Sequence, residues 1–504
     1  MQGAVMKKIL CAAIFTLMAA NVFAINYSAK VYQQTVIEDL RRLLIIPNTL
    51  ENPDGLNKTV QEVIALLKKS DISAQLLKPK NLNSPPIIFG EWKVPGAKKT
   101  LLFYAHYDGV IVQPDNWTVT QPFHPMLLSD AVELGGKPVV SSDTFNSNWR
   151  LYGRSAADDK EGIIAILAAI QTFKTNHTYP GVNIKLLFEG EEELGSIHLD
   201  QILKENKELV KSDGWILIDG SVHPSGGKTV IFGARGDASL RITVYGSKIP
   251  LHSGEYGGWA PNPVMRLAKL LSSMQDEKGR VTIEGFYDDV KPLKQAEKNT
   301  LAEIPNVYGV LQSKLGFSYP ENANLTLDEI HTQPSLIIIG FNSGTTGKAS
   351  IKQIPASAAV SIDLRLVQGN DGKKQIERLI QHMKKQNYTV LDHDPSDAER
   401  ARYPFIAKIV QDTGYNADKL AMDSPLAKQI IEAVQSTTNQ QIVKIPIMGA
   451  STPVLTIRKI TGAPCVSLPI SNYDSNPHAE NENLRLGNLF DGIDSIVAIM
   501  QQHY

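Results

Sequence analysis

The sequence predicts an α/β fold, with a doubly wound and mostly parallel sheet into which a separate α+β unit is inserted. Three observations carry this. The stretches TLLFYAH (100–106), NIKLLFEG (183–190) and GWILIDG (214–220) are near-continuous apolar runs, as strands covered on both faces require. KEGIIAILAAIQTF (160–173) lies between the first two and has the apolar content of a buried helix, so strand, helix, strand order favours parallel pairing through crossovers. ASLRITVYG (238–246) and AVSIDLRLV (359–367) instead alternate apolar with polar residues, the pattern of strands with one wet face.

In chain order, Lys7 and Lys8 precede the apolar run ILCAAIFTLMAANVFA, with Val22 and Ala24 placed as in a small-residue cleavage site. This predicts a signal peptide over 1–24 and an exported protein, periplasmic or secreted; an uncleaved N-terminal anchor is the alternative. Cleavage would leave Cys465 as the only cysteine, so no intrachain disulfide could form. VIEDLRRLLII (36–46) and VQEVIALLKKS (60–70) repeat apolar residues at three-to-four spacing and predict helices. After the sheet strands, the alternating strands bracket NPVMRLAKLLSSM (262–274) and precede KKQIERLIQHMKKQ (373–386), both amphipathic. The inserted unit is therefore expected over 235–415, between parts of one domain at 25–234 and 416–504. From SPLAKQIIEAVQ (424–435) to APCVSLPIS (463–471) helix and buried strand return.

A chain of 504 residues exceeds one ordinary core, in keeping with that division. With 51 basic against 52 acidic residues it has no bulk footprint for nucleic acid. No later apolar run is long enough to span a membrane, so no membrane partner is expected after cleavage.

Each buried strand ends in candidate metal ligands: His106 and Asp108, then Glu192 and Glu193, then Asp219. Open α/β sheets bind ligands beyond the carboxyl ends of their strands, so these separated positions should converge. Singly, each has an ordinary reading as a core histidine, a turn former or a helix start. Together they place like charge at the mouth of a sheet, which is costly unless a divalent cation compensates it. LYGRSAADDKEG (151–162) adds Asp158 and Asp159, and NPHAENENL (476–484) adds His478. Imidazole nitrogen and carboxylate oxygen suit Zn2+, and one carboxylate can bridge two cations about 3.5 Å apart.

AHYDG (105–109), GRSAADDK (153–160), EGEEELGS (189–196), LIDG (217–220), LHSGEYGG (251–258) and PHAENE (477–482) occur in the order found in the co-catalytic di-zinc peptidases, over nearly all of the chain that follows residue 24. The chain most resembles their carnosinase and nonspecific dipeptidase branch; carboxypeptidase G, acetylornithine deacetylase and succinyl-diaminopimelate desuccinylase belong to the same family. The resemblance implies two Zn2+ per subunit, with cobalt or manganese as substitutes: one held by His106, Asp158 and Asp219, the other by His478, Asp158 and Glu193, with Asp158 bridging. It implies Glu192 as general base on a hydroxide between the zincs, a one-residue slip placing Glu191 there instead. Asp108 would orient His106, and His252 would stabilise the oxyanion in a partner subunit's site. Arg365 would clamp a substrate carboxylate, and Ser451 and Asn342 would hydrogen-bond the substrate.

The implied activity is hydrolysis of short peptides, foremost dipeptides with a free C-terminal carboxylate, by a homodimer joined through the inserted lid unit. N-acyl amino acid deacylation is the alternative within enzymes, and a non-catalytic binding module the alternative outside them. Ser155 and Glu161 stand where the family has glycines, and the family carries a cis peptide after the bridging aspartate. The stretch between Trp117 and Leu151 reads as an insertion near the mouth of the site. His124, His177, His198, His223, His331, His382, His393 and His503 have no ligand-like context.

Overall fold

The computed structural model describes residues 30–503 apart from 81–83, 140–144 and 451. The expected signal peptide over 1–24 and Ser451 lie outside the described residues.

The large sheet uses β1 (Ala74–Leu77), β2 (Ile87–Trp92), β3 (Thr100–His106), β4 (Asn183–Glu189), β5 (Gly214–Leu217) and β6 (Thr229–Ile231). A second sheet follows, from β7 (Gly236–Tyr245), β8 (Ser335–Asn342), β9 (Ser357–Leu366), β10 (Thr389–Leu391) and β11 (Ile406–Tyr415). The chain then returns to the first sheet with β12 (Val443–Ile445) and β13 (Cys465–Ser467). The large sheet runs β1-β2-β4-β3-β5-β13-β6-β12, and the small one β8-β9-β7-β11-β10. At the centre of the large sheet β4, β3, β5 and β13 are mutually parallel, whereas β1 and β2 enter antiparallel at one edge. The large sheet is thus the mostly parallel α/β sheet that its apolar runs predicted.

Alternation along the strands explains why these runs are apolar throughout. Leu101, Phe103 and Ala105 point to one face, where they share a core with helices Lys160–Thr175 and Leu486–Gln501. Leu102, Tyr104, Leu187 and Trp215 point to the other, against Leu199–Glu205 and Val454–Thr461. Each such buried side chain contributes about 1.5–3 kcal/mol, and a strand with two covered faces collects this at every position. The small sheet collects it on one face only. Leu240, Ile242, Ile362 and Leu364 pack on helices Pro263–Ser272 and Gly372–Lys385, while Arg241 and Arg365 between them face outward.

Two features were not legible beforehand. Three helices, Gln295–Glu303, Tyr308–Leu315 and Leu327–His331, precede β8 in a stretch with no clear apolar period. The stretch between Trp117 and Leu151 contains a strand, Met126–Leu128, that joins Arg150–Tyr152 and Asn483–Arg485 in a three-stranded sheet. That sheet ties the loop carrying Asp158 to the loop carrying His478.

Candidate metal centre

β3 ends at His106, β4 at Glu189, and β5 two residues before Asp219, all at one edge. Parallel register sets this: His106 lies opposite Glu189, and Tyr104 opposite Leu217. After β4 the chain makes a tight 3-10 turn at Glu192–Leu194 and leaves through Gly195 in the left-handed region (φ 80°). The turn is fastened by Asp108, fully buried, whose carboxylate accepts the backbone N–H of Glu192 at 3.3 Å and of Glu193 at 3.1 Å. Asp108 also lies 3.3 Å from Nδ1 of His106, beside the ring nitrogen turned away from the cluster. Gly190 is needed where the strand meets the turn, because a Cβ there would lie 2.3 Å from the Tyr107 ring.

Asp158 sits at the centre. Its Oδ1 is 3.0 Å from His106 Nε2, and its Oδ2 is 3.0 Å from His478 Nε2. His478 Nε2 is also 3.0 Å from Glu193 Oε2, and His106 Nε2 is 4.0 Å from Glu192 Oε2. Donor atoms of His106, Asp158 and Glu193 all lie within 4.8 Å of one another, as do those of His106, Asp159 and Asp219. All five predicted ligands, His106, Asp158, Glu193, Asp219 and His478, therefore face one small volume. A carboxylate with one oxygen toward each of two imidazoles has the geometry of a bridge.

The electrostatics say what this volume favours. Burial raises Glu192 well above the ordinary carboxyl range, and burial with the neighbouring carboxylates pushes Asp219 up to about 6. Burial would also raise Asp158, but the contacts to His106 and His478 hold it low. His478, 59 % exposed at its side chain, is pushed up to about 10 by Asp158 and Glu193. Burial would lower His106, yet Asp108 and Asp158 raise it. Without a cation the cluster must recruit protons onto imidazoles to offset its carboxylates. Nitrogen and oxygen donors at these spacings fit divalent cations, which take the place of those protons.

The peptide bond between Asp158 and Asp159 is cis, as the resemblance implied. Ser155 adopts the left-handed conformation (φ 61°) at a position where the family has glycine, and its hydroxyl accepts from Asn48 Nδ2 at 2.9 Å. Glu161 is fully buried, with neither carboxylate oxygen hydrogen-bonded.

Several residues gained a task that neither the motifs nor the resemblance had assigned. Asp159 accepts the backbone N–H of His106 at 3.0 Å and joins the second donor group. Glu482, fully buried, accepts from Arg154 (2.6 Å) and from the backbone N–H of Ser155 and Ala157 (2.8 Å each), so it holds the Asp158 loop. Both belong to motifs already quoted, DDK and PHAENE, but only contacts show their use. His198, read as lacking context, pairs with Glu191 at 2.8 Å and thereby engages the acid that a one-residue slip would have made the base. His223 and His331, also read as contextless, line a cavity of about 560 Å3 that opens beside Asp158, Glu192, Asp219 and His478.

The remaining predicted residues lie in the small sheet and its surroundings. Arg365, in β9, donates from Nε to Asp363 at 2.8 Å; Arg235, beside it, is also a charge neighbour of His331. Asn342 is exposed at the end of β8. His252 is exposed on a two-stranded ribbon with Gln353–Ile354, its Nδ1 accepting the N–H of Gly254 at 3.2 Å. Among the described residues no hydrogen bond or ion pair ties it to the cluster of its own chain.

The pattern of Peptidase family M20/M25/M40 matches residues 102–502. The Cys-Gly metallodipeptidase DUG1 of Candida albicans is 28 % identical over 484 residues, 91 % of this chain and 93 % of that protein. The Beta-Ala-His dipeptidase of Homo sapiens is 28 % identical over 453 residues, 86 % of this chain and 81 % of that protein. Among solved structures, an M20 family metallo-carboxypeptidase of Sulfolobus solfataricus superposes with a TM-score of 0.76 at 27 % identity, covering 93 % of this chain and 99 % of that one. One expectation is corrected by these relatives. Export was read from the first 24 residues alone, which lie outside the described ones, and the yeast and mammalian dipeptidases that the rest of the chain resembles stand against it. Among the described residues no helix is long and apolar enough to cross a membrane.

Proposed function

The chain belongs to Peptidase family M20/M25/M40 and is a metal-dependent peptidase; on that premise we propose that it cleaves dipeptides with a free C-terminal carboxylate at a two-zinc centre. The observation that carries this is Asp158, with one oxygen 3.0 Å from His106 and the other 3.0 Å from His478. His106, Asp158 and Asp219 would hold one cation, and His478, Asp158 and Glu193 the other. Asp159 stands ready to steady His106 through its backbone. When bound, such cations polarise the scissile carbonyl and acidify water.

The chain's own residues then have separable tasks. Glu192 Oε2 lies 4.0 Å from His106 Nε2, beside the histidines but hydrogen-bonded to neither, and burial keeps its carboxyl basic enough to take a proton from the attacking water and return it to the leaving amine. Asp108 fixes both the His106 ring and the turn that carries Glu192 and Glu193. Arg365 suits a substrate carboxylate, since a guanidinium offers two parallel donors. Ser451 and Asn342 would add hydrogen bonds to the substrate.

The same reading divides the chain into catalytic parts at 25–234 and 416–504 and a lid over 235–415, and pairs two chains through the lid. Supporting the pairing, β8 is an edge strand with Ile337, Ile338, Ile339 and Phe341 exposed, an apolar rim that a second copy would cover. In that dimer His252 would serve the partner's site as an oxyanion donor. The test is metal analysis of purified protein together with hydrolysis of a dipeptide panel beside N-acetylated amino acids. Two zincs per chain and cleavage of dipeptides are expected; turnover of the acylated amino acids alone would make the protein a deacylase.

A further inference from the structure

The cavity beside the metal centre is built by distant parts of the chain: chiefly the loop after β5, the helices Tyr308–Leu315 and Leu327–His331 that precede the small sheet, and the stretch that follows β12. Much of its wall is apolar, with Val222, Ile231, Leu327, Ile445 and Met448. Two polar atoms in that wall are nonetheless buried and unmatched, His223 Nε2 and Thr452 Oγ1, each on a residue only 4 % exposed. A buried donor without a partner is expensive, so its persistence at a cavity wall marks a place where a ligand group or water completes it.

The proton on His223 can be placed. Nδ1 accepts the backbone N–H of Ser225 at 3.2 Å, so the neutral ring carries its hydrogen on Nε2, and burial keeps the ring neutral. Nε2 faces Oδ2 of Asp328 across 3.8 Å, too far for a direct hydrogen bond. Asp328 is itself buried and accepts the hydroxyl of Tyr308. A group seated between them at ordinary distances accepts from His223 and donates to Asp328. An ammonium cannot accept, a carboxylate would face Asp328, and an aliphatic group leaves both unmatched.

We propose that this cavity receives one side chain of the substrate, and that His223, Asp328 and Thr452 select a neutral side chain that both accepts and donates a hydrogen bond, a hydroxyl or a carboxamide. This rests on the peptidase reading above and names the substrates within it. Sites built to hydrogen-bond a substrate group reject the isostere lacking it far more strongly than apolar pockets reject a missing methylene.

The test uses zinc-loaded enzyme and Xaa-Gly and Gly-Xaa dipeptides in near-isosteric pairs, Thr against Val and Asn against Leu, with Asp and Lys as charged members. At one of the two positions kcat/KM for Thr and Asn should exceed that for Val and Leu by about ten-fold or more, with Asp and Lys poorer still. In His223→Leu, shown by metal analysis to hold its zinc, those ratios should fall to within about three-fold of one; His223→Gln, which keeps an N–H, should retain part of the preference. Thr452→Val provides a second, milder variant with the same direction of change. Ratios near one at both positions in the wild type, or ratios unmoved in both His223→Leu and Thr452→Val, overturn the proposal. If no peptide is cleaved, the peptidase reading fails, and the cavity is judged by calorimetric titration of the same peptides into the loaded protein. Tighter binding of the Thr and Asn peptides that is lost in His223→Leu supports the assignment, whereas equal binding or none overturns it.

Discussion

At the residue scale the central contrast is between Asp158 and Glu192. Both are buried among like charges, yet Asp158 has two imidazoles within 3.0 Å and stays ionised, while Glu192 has its nearest imidazole nitrogen at 4.0 Å and is pushed up. A ligand and a base need those opposite tendencies. Glu192→Gln should therefore retain zinc while kcat falls by about 10²–10⁴-fold; near-normal turnover with zinc retained refutes the assignment. Metal binding must displace the proton that Asp158 and Glu193 hold on His478, pushed up to about 10. Zinc uptake at neutral pH should thus release protons, and affinity should fall as pH falls; calorimetry in buffers of different ionisation enthalpy reads the release. His331 makes a separate prediction. Burial, then the charge of Arg235, pushes its imidazole down to about 4, whereas the unfolded chain takes up the proton near 6.5. Protons in that window favour the unfolded state, so the contribution is complete above about pH 6.5 and is lost toward pH 4. Relative to His331→Gln, the wild type should lose up to about 3 kcal/mol over that range, measured by denaturant midpoints at each pH.

At the scale of elements, the site is a set of strand ends held in register. The apolar runs that announce β3, β4 and β5 are legible because strands with two covered faces cannot hide their composition. The acids and histidines placed just past those runs were legible for the same reason. The helices before β8 were not, because they lie in polar sequence and are fixed by caps, such as the reciprocal pair of Thr326 and Glu329, and by packing on the large sheet. The strands Met126–Leu128 and Arg150–Tyr152 are too short to show a period at all. Gly190 tests how tightly the acid turn is held. Tyr107 cannot yield to a Cβ there, since its ring is buried and its hydroxyl donates to the Pro86 carbonyl at 2.6 Å. Gly190→Ala should cost about 1–3 kcal/mol and lower zinc occupancy by displacing Glu192 and Glu193; an unchanged melting temperature with full zinc would show that the turn is not so constrained.

For the whole molecule, the proposed partners are cations and a second copy. Carboxylates that repel one another in the metal-free state make zinc a stabilising ligand. At a thousand-fold excess over its dissociation constant, zinc should add about 4 kcal/mol, so chelation should lower the melting temperature by several degrees and zinc should restore it. The open edge of β8 and the exposed ribbon bearing His252 make a prediction of a different kind. His252→Ala and Glu192→Gln should each be nearly inactive alone, but mixed under conditions of subunit exchange they should regain about a quarter of wild-type activity through the heterodimer's one intact site. Proven exchange with no recovery removes His252 from the partner's site.

The sequence by itself determined the family of chemistry. Six motifs in order, and carboxylates and histidines just beyond apolar runs, are local properties, and burial forces them into view because unpaired like charge at a sheet mouth is costly. It also picked out which acids and histidines gather beyond the strand ends, although not how far apart they lie. Tertiary structure alone decided that Asp158 reaches both histidines, that Asp159 and Glu482 hold the loop between them, and that His223 and His331 face a cavity rather than a core. These depend on contacts between segments 50 to more than 300 residues apart, such as His106 with Asp159 and Ala157 with Glu482. A histidine's neighbours in the chain say little about what packing will bring to its ring, and so the cavity could be read only once the fold had closed around it.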